Sequence, residues 1–245
     1  AGRCVSIRRI AARHLRAEAA WCFNPIMSVD TQPPSISEAR NRILSEIGAE
    51  TCLVAASKRQ PEERIDAALA AGQRVFGENR VQEAASRWMT RKSEWPDLQL
   101  RLIGPLQTNK AEDAVRLFDV IETLDRDKLL KALSKAVEKS GCAPPDLLIQ
   151  VNTGDEPQKG GVSIDALGGL LSQARETYPG QVTGLMCIPP AHEPAAPHFA
   201  LLKRLADQNG LAVVSMGMSS DYALAARLGA THVRVGTALF GARET

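Results

Sequence analysis

Between Cys52 and Gly236 the chain exchanges short apolar runs for longer amphipathic stretches eight times over, and this alternation restricts the possible folds more than any other property. The apolar runs are CLVAAS, RVFG, LQLRLIG, DVIETL, DLLIQVN, VTGLMCIPP, LAVVSMGMS and THVRVG, each with the length and content of a buried strand. Apolar residues recur at helical spacing between them. Leu129, Leu130, Leu133 and Val137 share one face of DRDKLLKALSKAVEKSG, for which Asp125 is the expected cap. Pro61 and two acids open PEERIDAALAAG, which Gly72 closes. NRVQEAASRWMTR and QTNKAEDAVRLF read the same way, and further helices are expected at about Ile164 to Tyr178, Glu193 to Asn209 and Ser219 to Leu228. One more precedes the first strand, SISEARNRILSEIG, with Ala39, Ile43, Leu44 and Ile47 on its apolar side. Strict alternation of this kind implies parallel strands joined by right-handed crossovers. Eight units in a chain of 245 residues fit the compact end of a (β/α)8 TIM barrel, so the expected class is α/β with a single barrel. An open doubly wound sheet is the alternative, but no G-x-G-x-x-G turn follows the first strand and no G-x-x-x-x-G-K-[ST] occurs.

Composition removes several function classes. With 44% hydrophobic and 24% charged residues the chain can bury a large core, and a formal charge of +2 is too small for a dedicated nucleic-acid binder. No apolar run approaches the 18 or so residues of a membrane span. Five cysteines without a C-x-x-C pair fit a reducing compartment, and a cytoplasmic location is expected. His192 and His198, placed in a proline-rich loop near Cys187, lack the spacing of a zinc site, so no metal is expected. Residues 1–26 carry Arg3, Arg8, Arg9, Arg13 and Arg16 against one acid, Glu18, and read as an N-terminal extension, with an organelle leader as the alternative. The domain reading is therefore an extension over residues 1–35, disordered or partly helical, followed by a barrel over residues 36–245.

Barrel active sites are built at the carboxyl ends of strands. That rule selects Lys58 after the first strand, Glu78 and Asn79 after the second, Gln107 and Asn109 after the third, Thr123 and Asn152 at the fourth and fifth. Ser215 and Ser219 follow the seventh strand, and Arg234, Gly236 and Thr237 the eighth. SMGMSSDYA and RVGTALFG each lead a strand through glycine to a hydroxyl at an expected helix N-terminus, where free N–H groups and the helix dipole favour an anion. Plain N-capped turns would explain either alone, but not their occurrence on adjacent final strands, the usual barrel phosphate site. A lysine facing a phosphate corner suggests an aldehyde phosphate held as a Schiff base, for which pyridoxal 5′-phosphate (PLP) is one candidate and a sugar phosphate the other. Arg234 favours the first, because a permanently protonated guanidinium could donate to the ring nitrogen and keep it unprotonated.

The motifs LVAASKRQP, FGENRVQEA, LIGPLQTNK, QVNTGDEPQKGGV, GLMCIPP and SMGMSSDYALAARLGATHVRVGTALFGAR, in this order from about Ile36 to Arg243, resemble the YggS/PROSC family of pyridoxal-phosphate homeostasis proteins. The resemblance implies a fold-type III barrel, similar to the N-terminal domain of alanine racemase, with the cofactor on Lys58 of the S-K-x-x-P motif. It places Asn79, Ser215, Met216, Ser219, Arg234, Gly236 and Thr237 in the cofactor site: Ser219, Gly236 and Thr237 at the phosphate and Arg234 at the ring nitrogen. Family members often have an aromatic residue in place of Arg80 and a histidine in place of Arg101, departures expected to touch only surface or rim detail.

The implied function is binding, buffering and delivery of PLP inside the cell, without established turnover and so without catalytic residues. Apo-PLP enzymes are the expected recipients, and a monomer is expected. The alternative is a small PLP-dependent amino-acid racemase or lyase. Racemases of this architecture draw a second base from another domain, and with two residues after Arg243 the barrel itself would have to supply it, from Lys110 or Lys159.

Overall fold

The computed structural model describes residues 34–242, so the readings of the N-terminal extension lie outside the described residues. Helix α1 (Ile36–Ile47) opens on a reciprocal cap: the Ser35 N–H donates to Glu38 Oε2 at 2.8 Å and the Glu38 N–H to Ser35 Oγ at 3.3 Å. The alternation then runs β1 (Cys52–Ala56), α2 (Glu62–Ala70), β2 (Val75–Glu78), α3 (Val81–Glu94) and β3 (Gln99–Leu102). A 3-10 turn at Thr108–Lys110 leads into α4 (Ala111–Leu117), β4 (Val120–Leu124), α5 (Asp127–Ser140) and β5 (Asp146–Gln150). It continues through α6 (Ile164–Thr177), β6 (Val182–Met186), α7 (Ala195–Gln208), β7 (Val213–Ser215), α8 (Tyr222–Arg227), β8 (His232–Val235) and α9 (Thr237–Phe240).

The eight strands pair in sequence order, all parallel, and β1 closes the barrel on β8 with Cys52 opposite His232 and Ala55 opposite Val235. Side chains alternate across the wall, as the pleat requires. On β2, Phe76 points outward and stacks on Trp88 of α3 at a centroid distance of 4.6 Å, whereas Gly77 faces inward, where an added Cβ would lie 2.8 Å from Ile103. Phe76 and Trp88 are fully buried, each contributing about 1.5–3 kcal/mol to the packing of helices on strands. Val120, Leu148 and Met186, with Val213 packed against them, form a second, smaller apolar cluster along β4 to β7. The polar side chains Arg101, Glu122, Ser215 and Arg234, from β3, β4, β7 and β8, are buried as well.

Four expectations are corrected. Asp125 does not cap α5; Arg126 occupies the cap position without a side-chain bond, and the Asp125 carboxylate pairs with the Arg126 guanidinium instead. The helix expected from Ser219 starts only at Tyr222, because Asp221 Oδ1 accepts the Met218 N–H at 2.6 Å and holds the intervening residues as a turn. His198 belongs to α7, where it is buried between Thr153 and Glu193. Arg101 is no rim residue: it is 3% exposed, its inward position following from outward Leu100 and Leu102 on either side.

Candidate functional site

A cavity of about 290 Å³ opens at the carboxyl ends of the strands. Its walls come from Ala56 at the end of β1, Lys58 and Gln60 after it, Asn79 after β2, Ile103 after β3 and Ile188 after β6, with Met218, Ser219 and Ser220 after β7 and Arg234, Gly236 and Thr237 of the last unit. The volume sits at the low end of the roughly 300–1,000 Å³ typical of small-molecule sites, room for one ring and a compact anion. Ile188 and Met218 keep more than a third of their surface exposed on its rim, an apolar wall suited to a flat ring.

Lys58 sits in a turn that is fixed from behind. Glu78, outward-facing and fully buried, accepts hydrogen bonds at Oε1 from Ser57 Oγ at 2.8 Å, Arg87 Nη1 at 3.0 Å and Trp88 Nε1 at 3.0 Å. Arg87 also donates to the Ser57 and Gln60 carbonyls, so one side chain of α3 brackets the turn that carries the lysine. Arg59 next to it has φ 56°, a left-handed conformation unusual outside glycine and frequent at functional sites.

Asn79 is held by the chain that leaves β3. A Cβ at Gly104 would lie 2.3 Å from the Asn79 carbonyl oxygen, so only glycine permits this close crossing. Asn79 Oδ1 and Gln60 Oε1 are both buried without a hydrogen-bond partner among the described residues. Each carboxamide, turned over, exchanges that oxygen for its amino group, and both residues line the cavity.

At the opposite wall, Ser219 Oγ accepts the Gly236 N–H at 3.2 Å and the Ala238 N–H at 3.3 Å, which ties the loop after β7 to the loop after β8. The N–H groups expected to be free are thus partly engaged. With both acceptor sites of the hydroxyl in use, its proton is left to donate outward, beside the exposed Thr237 hydroxyl. Helices α8 and α9 have six and four residues, too short for a substantial macrodipole, so the anion preference of this corner rests on local donors.

Arg234 reaches the cavity from the barrel interior. Its Nη1 donates to Ser215 Oγ at 2.7 Å and its Nη2 to the Cys187 carbonyl at 2.8 Å. Ser215 Oγ is 2.6 Å from Glu122 Oε2, and Glu122 Oε1 accepts from Arg101 Nε at 2.5 Å. Burial opposes ionisation of Glu122, but the Arg101 and Arg234 guanidinia and the bonds from Ser215 and Arg101 outweigh it and hold the carboxyl below its usual range. Burial, reinforced by the nearby Arg101 charge, lowers His232 to about 4 and keeps it neutral.

Of the residues singled out in the sequence, Lys58, Asn79, Ser219, Arg234, Gly236 and Thr237 line the same cavity. Ser215 and Met216 do not. Ser215 is fully buried behind Arg234, and Met216 packs in the main core. Glu78 and Thr123 also turn away, Thr123 donating to the Gly104 carbonyl at 2.9 Å, while Asn152 closes a local turn with Glu156. Gln107 and Lys110 line a neighbouring groove with Arg80 and Arg126. Ala56, Gln60, Ile103, Ile188, Met218 and Ser220 were not anticipated; Ile188 and Met218 were within reach, since both lie just past a strand end. No group of three or more metal-binding side chains occurs among the described residues.

Residues 42–244 match the alanine racemase N-terminal domain family. The pyridoxal phosphate homeostasis protein of Pseudomonas aeruginosa is 41% identical over 199 residues, covering 78% of this chain and 84% of the relative. That of Aquifex aeolicus is 39% identical over 201 residues, covering 78% and 87%. The structure of PipY from Synechococcus elongatus with PLP bound superposes with a TM-score of 0.76 at 38% identity, covering 84% of this chain and all of PipY. Alanine racemase of Clostridium difficile, at a TM-score of 0.69 and 12% identity, shares the fold over 86% of this chain.

Proposed function

Because the chain belongs to the family of pyridoxal phosphate homeostasis proteins and carries the alanine racemase N-terminal domain, we propose that it binds PLP in the cavity at the strand ends and serves as a carrier and buffer of that cofactor. The carrying observation is that Lys58, Arg234 and the Ser219–Thr237 corner are walls of one cavity of about 290 Å³. Lys58 would hold the aldehyde carbon, Ser219, Gly236 and Thr237 the phosphate, and Arg234 the ring nitrogen, with Asn79 and Gln60 beside the ring. When bound, the cofactor supplies an aldehyde for a lysine amine and a ring that withdraws electrons. A guanidinium donating from Arg234 would leave the ring nitrogen without a proton and weaken that withdrawal.

In this reading the protein turns over no substrate, and apo-PLP enzymes receive the cofactor from it. Support comes from the walls: among the described residues, Lys58 and Arg234 are the ionisable side chains lining the cavity. Proton transfer on a second face would need another base. Lys110 is 3.7 Å from Asp113 and Lys159 is 2.6 Å from Glu156, and neither lines the cavity. A monomer acting in the cytoplasm completes the proposal; no helix among the described residues is long and apolar enough to cross a membrane.

The test is borohydride reduction of protein loaded with PLP, followed by peptide mass spectrometry. One pyridoxyl group per chain on Lys58 is expected, and Lys58→Ala should lose it while still unfolding cooperatively. Stoichiometric labelling of another lysine in the wild-type protein would refute the assignment.

A further inference from the structure

Behind Arg234 stands a chain of buried polar side chains that the cofactor would never touch: Ser215, Glu122 and Arg101, on the inward faces of β7, β4 and β3. We propose that Glu122 is a positioning residue which, through Ser215, fixes the Arg234 guanidinium at the ring nitrogen of the cofactor, with Arg101 as its counter-charge. The proposal rests on the PLP reading and adds to it a reason why Arg234 adopts one orientation.

Proton bookkeeping makes the arrangement one-way. Arginine has donors and no acceptor, so the bond from Arg234 Nη1 to Ser215 Oγ, at 2.7 Å, uses a serine lone pair. The single serine proton must then point at Glu122 Oε2, 2.6 Å away, and the other carboxylate oxygen takes the Arg101 Nε–H at 2.5 Å. Glu122 therefore accepts from both sides. A carboxamide presents one oxygen and one amino group: with the oxygen toward Ser215 the amino group meets the Arg101 Nε–H, and turned over it donates to the second Ser215 lone pair, which redirects the serine proton away from position 122. Arg234 Nη1 and Glu122 Oε2 are also 3.9 Å apart, close enough for direct attraction in a buried setting.

A purely structural role fits less well. Burying a carboxylate with two guanidinia is poor stabilisation compared with apolar filling, and the neighbouring stretch of β4 to β7 is filled with Val120, Leu148, Met186 and Val213. The charged chain occurs where an arginine must be presented to the cavity. Its second anchor, the Cys187 carbonyl at 2.8 Å, fixes one guanidinium nitrogen, and the Glu122–Ser215 arm fixes the other, so together they set the plane of the group.

The experiment compares equilibrium binding of PLP with that of its 1-deaza analogue, in which a ring carbon replaces the nitrogen, for the wild-type protein, Glu122→Gln and Ser215→Ala. The ratio of the two affinities isolates the contact to the ring nitrogen. A hydrogen bond to a charged donor predicts a wild-type preference for PLP of about ten- to 150-fold. In both variants the ratio should fall to within about three-fold of unity, while cooperative thermal unfolding confirms the fold. A wild-type ratio retained in either folded variant overturns the positioning role, as does a wild-type ratio of one. If Glu122→Gln fails to fold, Ser215→Ala decides alone. Wild-type protein that binds neither compound would instead overturn the PLP reading itself.

Discussion

Replacing Glu78 by glutamine removes one negative charge from behind the Lys58 turn and changes almost nothing in shape. Glu78 Oε1 accepts three hydrogen bonds, from Ser57, Arg87 and Trp88, at 2.8 to 3.0 Å in a fully buried setting. A bond to a charged acceptor is worth roughly 1.5–3 kcal/mol and a neutral one 0.5–1.5, so each loses about 1 kcal/mol when the carboxylate becomes a carboxamide. Arg87 keeps Glu62 at 2.9 Å and two carbonyls, which holds the loss below the 3–5 kcal/mol of stranding a buried charge outright. The new amino group would replace Oε2, which already lacks a partner. The sum is about 3 kcal/mol. For a barrel of this size 1 kcal/mol moves Tm by about 2–4 °C, so Glu78→Gln should melt about 6–12 °C lower by circular dichroism. Glu62→Gln, which removes the half-exposed carboxylate shared by Arg87 and Arg91, serves as the control. A Tm within 2 °C of wild type for Glu78→Gln would show that the buried carboxylate does not anchor the turn.

Two further outcomes test the site and its surroundings. Thr237→Val, which removes an exposed hydroxyl proposed to donate to the phosphate, should weaken PLP binding by about ten-fold and leave unphosphorylated pyridoxal unaffected; equal losses for both ligands in a fluorescence titration would remove Thr237 from the phosphate. His232, lowered to about 4 in the folded state against 6.5 when unfolded, binds its proton only on unfolding between those values, so stability falls as pH drops through that window. His232→Gln should therefore lose about 2 kcal/mol less than wild type between pH 7 and pH 4.5 in urea unfolding, and parallel pH profiles would contradict a buried neutral imidazole.

The barrel was legible because its determinants are local. Each strand announces itself by an apolar run and each helix by its periodicity, and once eight units are counted, parallel closure leaves little choice. The site was legible where a polar residue follows a strand end facing inward, as Lys58 and Asn79 do. It failed where side-chain direction depends on a single residue of register. Ser215 ends a three-residue strand, and its direction into the barrel interior is visible only against Glu122, distant in sequence. Arg101 was readable in principle, since Leu100 and Leu102 mark the outward positions of β3; its charge suggested the rim, and only a buried carboxylate on the next strand makes an interior arginine tolerable. Gln60 and Ile103 carry no chemical signature that would set them apart from other turn residues.

The closure of the barrel by β1 and β8 gives the site a place in the order of folding. Lys58 follows the first strand and Gly236 the eighth, and a Cβ at Gly236 would come within 3.4 Å of the Ala56 carbonyl oxygen across that seam. The two ends of the proposed ligand are thus held by strands about 180 residues apart, among the longest loop closures the topology requires. Both ends of such a ligand come within reach of one molecule only once the seam has zipped, so a fluorescent cofactor would report that closure during refolding. Conversely, a ligand bridging the seam would hold it shut: at a hundred times its Kd it would add about 2.7 kcal/mol against opening.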